Sequence, residues 1–309
     1  MTATTAERRT YEPPRPVDLR LTLAPLRHGG DVSCRFAADG AWRATRTPDG
    51  PATLRLCGTD PANPSGCTRR VEAWAWGPGA AWVLERVPDL LGHDDDDRLD
   101  TDHHLVRRMQ RSLPGLRMSR SHAVTEALIP TVLAQKVTGR ESARSYRRLT
   151  RLHGERAPGP AELLLPPSPA RLADTGYCDL HPLGVERRRA ETVREVARRA
   201  DRLDALAALP SDDAQRRMRT VPGLGPWTAG NVALAALGDA DAVVPGDYHY
   251  PHQVAQALAG QPRGDDDLMV QLLEPFRGQR GRVLRMVVLR GPREPRRGPR
   301  FAPRTHWAW

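Results

Sequence analysis

The sequence pattern of the chain changes once, near residues 90–105. Across residues 17–87, short runs rich in Val, Leu, Thr and Trp are separated by Gly, Pro, Asn and Asp, which is typical of strands joined by tight turns. After the change, apolar residues recur at helical spacing. The runs that we predict as strands are residues 19–23, 32–36, 42–47, 52–56 and 71–76. This order predicts an α+β fold, with a small β-rich N-terminal domain over residues 17–100 and an all-α domain over residues 105–290.

The two ends of the chain differ in composition from both domains. Residues 1–16 are polar and contain prolines, so we expect a flexible N-terminus that lacks the apolar segment of an export signal. Residues 291–309 alternate Pro and Arg and cannot build a core, so we expect an extended, Arg/Pro-rich C-terminal tail. No apolar run approaches the length that spans a membrane. The four cysteines have no metal-type spacing, which favours reduced thiols in the cytoplasm; they are Cys34, Cys57, Cys67 and Cys178.

Basic charge is concentrated in two segments of the sequence. The chain has 47 basic and 37 acidic residues, and only one of the basic residues is a lysine, Lys136. A bias in base composition would raise Arg, Ala, Gly and Pro together, so the position of the charge is better evidence than its total. Residues 107–156 hold 12 basic and 3 acidic residues, and residues 277–309 hold 10 basic and one acidic. A polarised basic surface attracts polyanions, so nucleic acid is the leading partner class.

Residues 138–141, which read Thr-Gly-Arg-Glu, predict the start of a helix. This is the form of a capping box, in which the Thr and Glu side chains bond to the free amides of the first turn. We therefore predict that one helix ends near residues 135–137 and that the next begins at Thr138 and stops at Gly154. Gln135 and Lys136 would then lie in the loop between the two helices.

Residues 221–231, which read VPGLGPWTAGN, predict two helices joined by a tight turn. Gly223 and Gly225 permit positive φ and leave the backbone uncovered, and Pro226 suits the first turn of the second helix. Amides exposed at a helix N-terminus can bind a phosphate without any side chain, which suits a grip on DNA that is independent of base sequence. The alternative is an ordinary connection between helices.

An apolar pair leads into a carboxylate some twenty residues beyond this turn, in the segment Val-Val-Pro-Gly-Asp-Tyr at residues 243–248. Together with Pro-Gly-Leu-Arg at 114–117, Leu-Ala-Gln-Lys-Val at 133–137 and Trp-Thr-Ala at 227–229, this segment resembles the helix-hairpin-helix DNA glycosylases, and among them the bacterial 3-methyladenine (alkylpurine) type. The resemblance covers roughly residues 114–289. The β-rich region ahead of it looks like the N-terminal domain of the alkylpurine branch.

The resemblance implies roles for three residues of a candidate active site. Asp247 matches the catalytic aspartate of the family; a fixed anion favours the positive charge that builds on the sugar as the N-glycosidic bond breaks, and it can orient or deprotonate the attacking water. The alternative role for Asp247 is a helix N-cap, and both can hold at once. Trp227 and Tyr248 would form aromatic walls that stack on an extruded base. The alternative for Trp227 is core packing.

The loop and the hairpin supply the expected DNA contacts. Gln135 and Lys136 stand where related enzymes place the residue that fills the gap left by a flipped nucleotide, so Lys136 is expected to contact phosphate or the orphan base, with a solvated surface lysine as the alternative. Thr228 belongs to the hairpin and joins its two glycines as a DNA-binding residue. Asn231 departs from the inducible bacterial enzyme, which has an aromatic residue there, and this predicts a more polar pocket.

The sequence gives no support for a redox or transition-metal cofactor. Members of the family with an iron–sulfur cluster use four cysteines near the C-terminus, and this chain has no cysteine after Cys178. His249 and His252 are separated by a proline and lack a third ligand, so we expect surface or DNA-contacting histidines. The acidic runs 94–97 and 265–267 lack calcium-loop spacing and are expected to be linker and helix-start residues. Hairpins of relatives hold a monovalent cation through backbone carbonyls, and the resemblance implies one here.

The function expected from these features is monofunctional excision of a damaged, alkylated purine base from double-stranded DNA, which starts base excision repair. Bifunctional relatives carry a lysine where Trp227 stands, and Lys136 lies elsewhere, so strand cleavage is not expected. We expect a monomer in the cytoplasm, associated with the nucleoid. Two alternatives stay open: a DNA-binding or damage-recognition protein that has lost catalysis, and a glycosylase for deaminated or oxidised bases.

Overall fold

Five antiparallel strands form a sheet in the N-terminal third of the chain. The computed structural model describes residues 5–30, 32–60 and 66–292. The sheet order is β1-β5-β4-β3-β2, and a separate two-stranded ribbon pairs β6 with β7. The strands are β1 (Glu7–Tyr11), β2 (Cys34–Ala37), β3 (Gly40–Thr47), β4 (Gly50–Gly58), β5 (Val71–Trp76), β6 (Glu155–Arg156) and β7 (Leu164–Leu165). The fold class is α+β, as the change in sequence pattern predicted.

Two expectations for the N-terminal region are wrong. Residues 19–23, predicted as a strand, form a helix, because the Asp18 side chain accepts a hydrogen bond from the Leu21 amide at 2.8 Å and caps its first turn. The N-terminal segment expected to be flexible contains β1, which pairs with β5 along its whole length. Four of the five residues of β1 are exposed, so its sequence carries no apolar alternation that would have revealed it.

The remainder of the described chain is mainly helical. The helices are α1 (Leu19–Leu23), α2 (Ala80–Glu85), α3 (Val87–Leu90), α4 (His104–Ser112), α5 (Val124–Leu133), α6 (Gly139–His153), α7 (Pro169–Asp174), α8 (Tyr177–Leu180), α9 (Arg187–Arg198), α10 (Ala200–Asp204), α11 (Ser211–Met218), α12 (Pro226–Val232), α13 (Tyr250–Ala259), α14 (Asp266–Leu273) and α15 (Arg280–Arg290). A π-helical turn (Ala233–Leu237) extends α12, and 3₁₀ turns occupy Ala24–Leu26, His181–Leu183, Ala205–Ala208 and Glu274–Phe276. None of the helices in the described ranges is long and apolar enough to cross a bilayer.

The helices form two lobes with separate hydrophobic cores. The first lobe, residues 124–242, packs α5 and α9 against α12. The second lobe combines residues 106–116 with residues 244–287, so that α4 packs on α15. The chain crosses from the first core to the second between Ala242 and Val244, which are buried in different cores. Residues just beyond this crossing are therefore held at the junction of the two lobes.

The sheet is covered on both faces. On the inner face, Leu54, Leu56 and Val71 pack with the helices of residues 80–91. On the outer face, Trp42 and Trp76 stack with ring centroids 5.5 Å apart and pack against residues 157–165. The guanidinium of Arg55 lies over the rings of Trp42 and Trp74, at 5.4 and 4.7 Å from their centroids.

The acidic run 94–97 lies in the irregular segment between α3 and α4, as expected of a linker, and two of its carboxylates also pair with buried arginines. The Asp95 carboxylate pairs with the Arg282 guanidinium, and both side chains are only 3% exposed. Asp97 pairs with Arg117 and with Arg15. These pairs have a physical cause: buried arginines need paired anions, and the run supplies them. The predicted Arg/Pro-rich tail, residues 291–309, lies outside the described residues from position 293 onward.

Candidate active site and nucleic-acid interface

Asp247 lies in the turn that follows the crossing between the lobes. One carboxylate oxygen, Oδ1, accepts hydrogen bonds from the backbone amides of His249 at 2.8 Å and Tyr250 at 3.0 Å. The other, Oδ2, accepts a hydrogen bond from the indole Nε1 of Trp227 at 2.8 Å. The first pair of bonds closes an Asx-type turn ahead of α13, whose N-cap position is His249, so the alternative of a helix N-cap at Asp247 is wrong by two residues. The third bond is additional, and together they fix the direction of the carboxylate.

The turn that carries Asp247 is itself held from the second lobe. Gly246 adopts φ +85°, a conformation that favours glycine, and its amide donates to Asp266 Oδ2 at 2.8 Å. Asp265, its neighbour, caps α14 by accepting from the Leu268 amide at 2.9 Å. The prediction of helix-start residues at 265–267 is thus confirmed, but the contact of Asp266 with Gly246 was missed, because it joins segments twenty residues apart.

Trp227 bridges the two helical lobes. It belongs to α12, yet its half-buried ring packs against the core of the second lobe. Its carbonyl accepts a hydrogen bond from Asn231 Nδ2 at 2.8 Å, so the polar residue that replaces the family's aromatic is used within α12. Trp227 therefore packs in the second core and also contacts the Asp247 carboxylate. In the sequence analysis, core packing was the alternative to a role in the site.

The two tyrosines that follow Asp247, Tyr248 and Tyr250, differ in exposure. Tyr248 is 79% exposed, with its ring centroid 5.0 Å from that of His249 and 6.0 Å from that of His252. The Tyr250 ring packs against the second core, and burial together with the nearby Asp247 charge raises the pKa of its hydroxyl to about 12. Tyr250 therefore stays neutral at physiological pH. The sequence singled out Tyr248 and gave Tyr250 no role.

The hairpin joins α11 to α12, as predicted, but its two glycines differ. Gly223 has φ +88°, and a Cβ there would collide with the Thr192 side chain of α9. Gly225 has φ −94°, so it does not use the positive φ that glycine permits. No atom lies within 4 Å of the place where a Cβ on Gly225 would stand, so this residue leaves the start of α12 uncovered. Gly223 serves close packing, and Gly225 serves access to the backbone.

The loop between α5 and α6 is attached to the hairpin. Gln135 Nε2 donates to the Gly223 carbonyl at 2.9 Å and to Thr228 Oγ1 at 3.0 Å. Thr228 is 1% exposed, so its hydroxyl faces this loop rather than solvent. Lys136 is exposed and adopts φ +55°. The capping box of Thr138 and Glu141 is confirmed at the start of α6.

Some of the basic charge found in the sequence is internal. Arg117 and Arg282 are buried in ion pairs, and burial lowers the pKa of Arg285 to about 10. The exposed basic side chains of the first basic segment include arginines of α4 and Lys136, and four more lie along one face of α6, at four- and three-residue spacing. These four are Arg140, Arg144, Arg147 and Arg151.

Metal-binding groups do not gather anywhere in residues 5–30, 32–60 and 66–292: no three His, Cys, Asp or Glu side chains lie close enough to hold an ion. The four cysteines all lie within the described ranges, and no disulfide joins them. The nearest approach to a cluster at the site is the ring group of Tyr248, His249 and His252, which contains no carboxylate.

Comparison with known proteins relates the chain, in part of its sequence and in its fold, to DNA glycosylases. No protein-family model matches the chain. DNA-3-methyladenine glycosylase 2 of Escherichia coli strain K12 is 32% identical over 143 residues, which are 46% of this chain and 51% of that protein. The chain thus aligns with about half the length of this curated relative.

Solved structures match over nearly the whole fold. The 3-methyladenine DNA glycosylase of Archaeoglobus fulgidus superposes with a TM-score of 0.73 at 15% identity, covering 91% of this chain and 97% of that one. The 8-oxoguanine glycosylase/lyase of Clostridium acetobutylicum, solved with double-stranded DNA, gives a TM-score of 0.62 at 11% identity, covering 93% and 97%. The resemblance stated from the motifs is confirmed at this level: the chain has the fold of these DNA glycosylase structures, and 46% of it is related in sequence to DNA-3-methyladenine glycosylase 2.

Proposed function

We propose that this chain is a monofunctional DNA glycosylase that hydrolyses the N-glycosidic bond of alkylated purine bases in double-stranded DNA and so starts base excision repair. The observation that carries the proposal is the Asp247 carboxylate, oriented by the Trp227 indole and two backbone amides at the junction of the two lobes. The exposed start of α12 at Gly225 lies on the same helix as Trp227.

The chemistry needs one well-placed anion. As the bond between the sugar C1′ and the base nitrogen breaks, its electron pair goes to the base and positive charge builds on the sugar. Asp247 stabilises that charge electrostatically, because its position is already fixed and no reorganisation is needed during the reaction. A water then adds to C1′ and gives its proton to the carboxylate or to solvent. A base that is cationic through alkylation leaves as a neutral molecule without a strong general acid.

The same residues define how a base would be held. Tyr248, exposed beside Asp247, offers a free aromatic face on which an extruded base can stack, with cation–π attraction if the base is charged. Trp227 supplies the second wall while its Nε1 holds the carboxylate. Position 227 holds no lysine, so there is no amine at this place to form the Schiff base that strand cleavage requires.

DNA would be bound through backbone groups. The uncovered amides at the start of α12 can bind a phosphate, with Gly225 leaving the space for it. Lys136 would reach the gap left by the extruded nucleotide. The carbonyls of Val221 and Gly223 each accept one hydrogen bond and retain a second lone pair, which fits a monovalent cation at the turn. We place the protein, as a monomer, on chromosomal DNA in the cytoplasm.

The deciding experiment is base release from duplex DNA treated with a methylating agent, with wild type and Asp247→Asn compared in parallel. The freed base is identified by chromatography, and strand cleavage is scored without added alkali. We expect wild type to release a methylated purine and leave intact strands with abasic sites, and Asp247→Asn to bind DNA without releasing a base.

Other outcomes select among the remaining functions. Release of deaminated or oxidised bases only, from a panel of defined lesions, would keep the glycosylase and change its substrate. Binding without release from any lesion would contradict an enzyme and favour a damage-recognition protein. Strand cleavage without alkali would contradict the monofunctional assignment.

A further inference from the structure

The loop that carries Lys136 is anchored at both of its ends. At the end of α5, the buried guanidinium of Arg189 donates to the Leu133 carbonyl at 2.8 Å and to the Gly184 carbonyl at 3.2 Å. These bonds satisfy a carbonyl that the helix end leaves free. At the start of α6, the capping box of Thr138 fixes the chain again. Only the residues between these anchors are free to change conformation, and Lys136 is one of them.

Gln135 connects this short loop to the phosphate-binding hairpin across 88 residues of sequence. A neutral side-chain amide has two N–H donors, and here its acceptors are the Gly223 carbonyl and the Thr228 hydroxyl. The two acceptors lie on opposite sides of the hairpin turn, one before α12 and one in its first turn. Gln135 therefore holds the loop against the turn as a whole.

Helix α9 contacts both the end of α5, where the loop begins, and the hairpin. On α9, Arg189 bonds to the end of α5, and Thr192, on the same face three residues later, contacts the backbone of Gly223. The loop and the hairpin thus share a common base as well as the direct link through Gln135. Two independent attachments make relative movement of the two segments costly.

The conformation of Lys136 depends on that link. A lysine at φ +55° is less stable than in the right-handed region, because its Cβ lies close to the following carbonyl. The surrounding bonds must offset this cost. If Gln135 released the hairpin, the neighbouring peptide could rotate and Lys136 would leave its outward position.

We propose that Gln135 is a positioning residue, which locks Lys136 to the hairpin so that phosphate binding and filling of the gap are carried out by one preassembled surface. This inference rests on the proposed function. It assigns Gln135 a role within the protein rather than a direct contact with DNA. Lys136 would enter the duplex already oriented, without an ordering step on binding.

The test compares affinities for two duplexes that differ only in an abasic-site analogue. Gln135→Met keeps the length of the side chain and removes both donors, and Gln271→Met, on the exposed face of α14, is the matched control. We expect Gln135→Met to bind the undamaged duplex within about twofold of the control and to lose about tenfold in preference for the abasic-site duplex, as one neutral hydrogen bond is worth. Equal losses on both duplexes, or no loss, would overturn the proposal.

A double-mutant cycle separates positioning from a general structural role. If Gln135 acts through Lys136, Gln135→Met should have no further effect on lesion preference once Lys136→Ala is present. Additive effects of the two substitutions would overturn the coupling. The thermal midpoint of each variant is measured alongside, because loss of the fold would lower both affinities together.

The proposed function can fail separately from this inference. If wild type prefers the abasic-site duplex but releases no base, the proposed enzymatic activity is contradicted. The double-mutant cycle then still tests the role of Gln135. Wild type that releases a base, with a Gln135→Met variant equal to its control, would leave the enzyme and overturn the coupling. Wild type with no preference for the abasic-site duplex would overturn the coupling as well.

Discussion

Among the described residues, the indole N–H of Trp227 is the one side-chain donor to the Asp247 carboxylate. Trp227→Phe removes that donor and keeps an aromatic ring against the second core. A hydrogen bond to a charged group contributes about 1.5–3 kcal/mol, so we expect base release under single-turnover conditions to slow by about ten- to hundredfold. DNA affinity should change by less than about twofold, because the hairpin backbone is untouched.

The control for this prediction is Trp82→Phe, a tryptophan of the sheet domain that lies over Arg86 rather than near the site. It should release bases at the rate of wild type. An unchanged rate for Trp227→Phe would mean that the two backbone amides alone orient the carboxylate.

His28 gives the fold a predicted pH dependence. It lies half-buried at the boundary of sheet and first lobe, its ring facing Tyr146, with Glu126 and Arg43 nearby, and burial lowers its pKa to about 4. The unfolded chain therefore binds a proton at His28 more readily than the folded chain does. Its contribution to stability is complete above about pH 6.5 and is lost as pH falls toward 4.

The measurement is urea unfolding of wild type and His28→Phe at a series of pH values. His28→Phe keeps a ring against Tyr146 and cannot titrate. We expect the free energy of unfolding of wild type to fall by on the order of 2–3 kcal/mol more than that of the variant between pH 7 and pH 4. Parallel pH profiles would show that folding leaves the pKa of His28 unchanged.

Substitutions at the two glycines of the hairpin are expected to affect different properties, stability in one case and DNA binding in the other. Gly223→Ala should lower the free energy of unfolding by about 1–3 kcal/mol, because a Cβ there is strained at positive φ and collides with Thr192. Gly225→Glu should leave stability unchanged, because the position is open and its φ is ordinary. It should nevertheless weaken binding to any DNA sequence by at least about tenfold, since it places a carboxylate where a phosphate would bind.

Thermal unfolding and binding at low salt, measured on the same preparations, test both statements. Gly225→Ala is the control that fills space without adding charge. Full DNA affinity in Gly225→Glu would place the phosphate contact elsewhere in the protein.

Elements with a local signal could be predicted from the sequence, and contacts between distant segments could not. The capping box at Thr138 and the hairpin at Gly223 depend on neighbouring residues, so their positions were predicted correctly. The strand at residues 7–11 has no apolar alternation, because it is an exposed edge. The bonds of Trp227 to Asp247 and of Gln135 to Gly223 join residues 20 and 88 positions apart, and sequence spacing does not carry the direction of a side chain.

At the scale of the whole molecule, the ion pair of Asp95 and Arg282 connects the segment between α3 and α4 to α15. Arg282 also donates to the Leu116 carbonyl at 3.2 Å and to Gln279 Oε1 at 2.6 Å. Removal of one partner leaves a buried charge without compensation. Arg282→Leu should therefore lower the free energy of unfolding by about 3–5 kcal/mol, and adding Asp95→Asn should restore part of the loss.

The same variants test whether the charge of Arg282 contributes to DNA binding. Because Arg282 is buried, neither change should alter the slope of log affinity for DNA against log salt. The exposed Arg144 of α6 is the comparison, and Arg144→Ala is measured in the same series. A reduced slope in Arg282→Leu with the fold intact would show that the second basic segment does reach phosphate.

The crossing of the chain between the two lobes also sets an order for synthesis. Residues 106–116 leave the ribosome early, but the partners that bury them, residues 244–287, come only after the entire first lobe. At about 5–20 residues per second, α4 waits on the order of ten seconds or longer for its core. The sheet and the hairpin can be complete while the lobe that closes around Asp247 is still unfinished. The nascent chain therefore acquires the hairpin that we propose binds phosphate before the Asp247 carboxylate is in place.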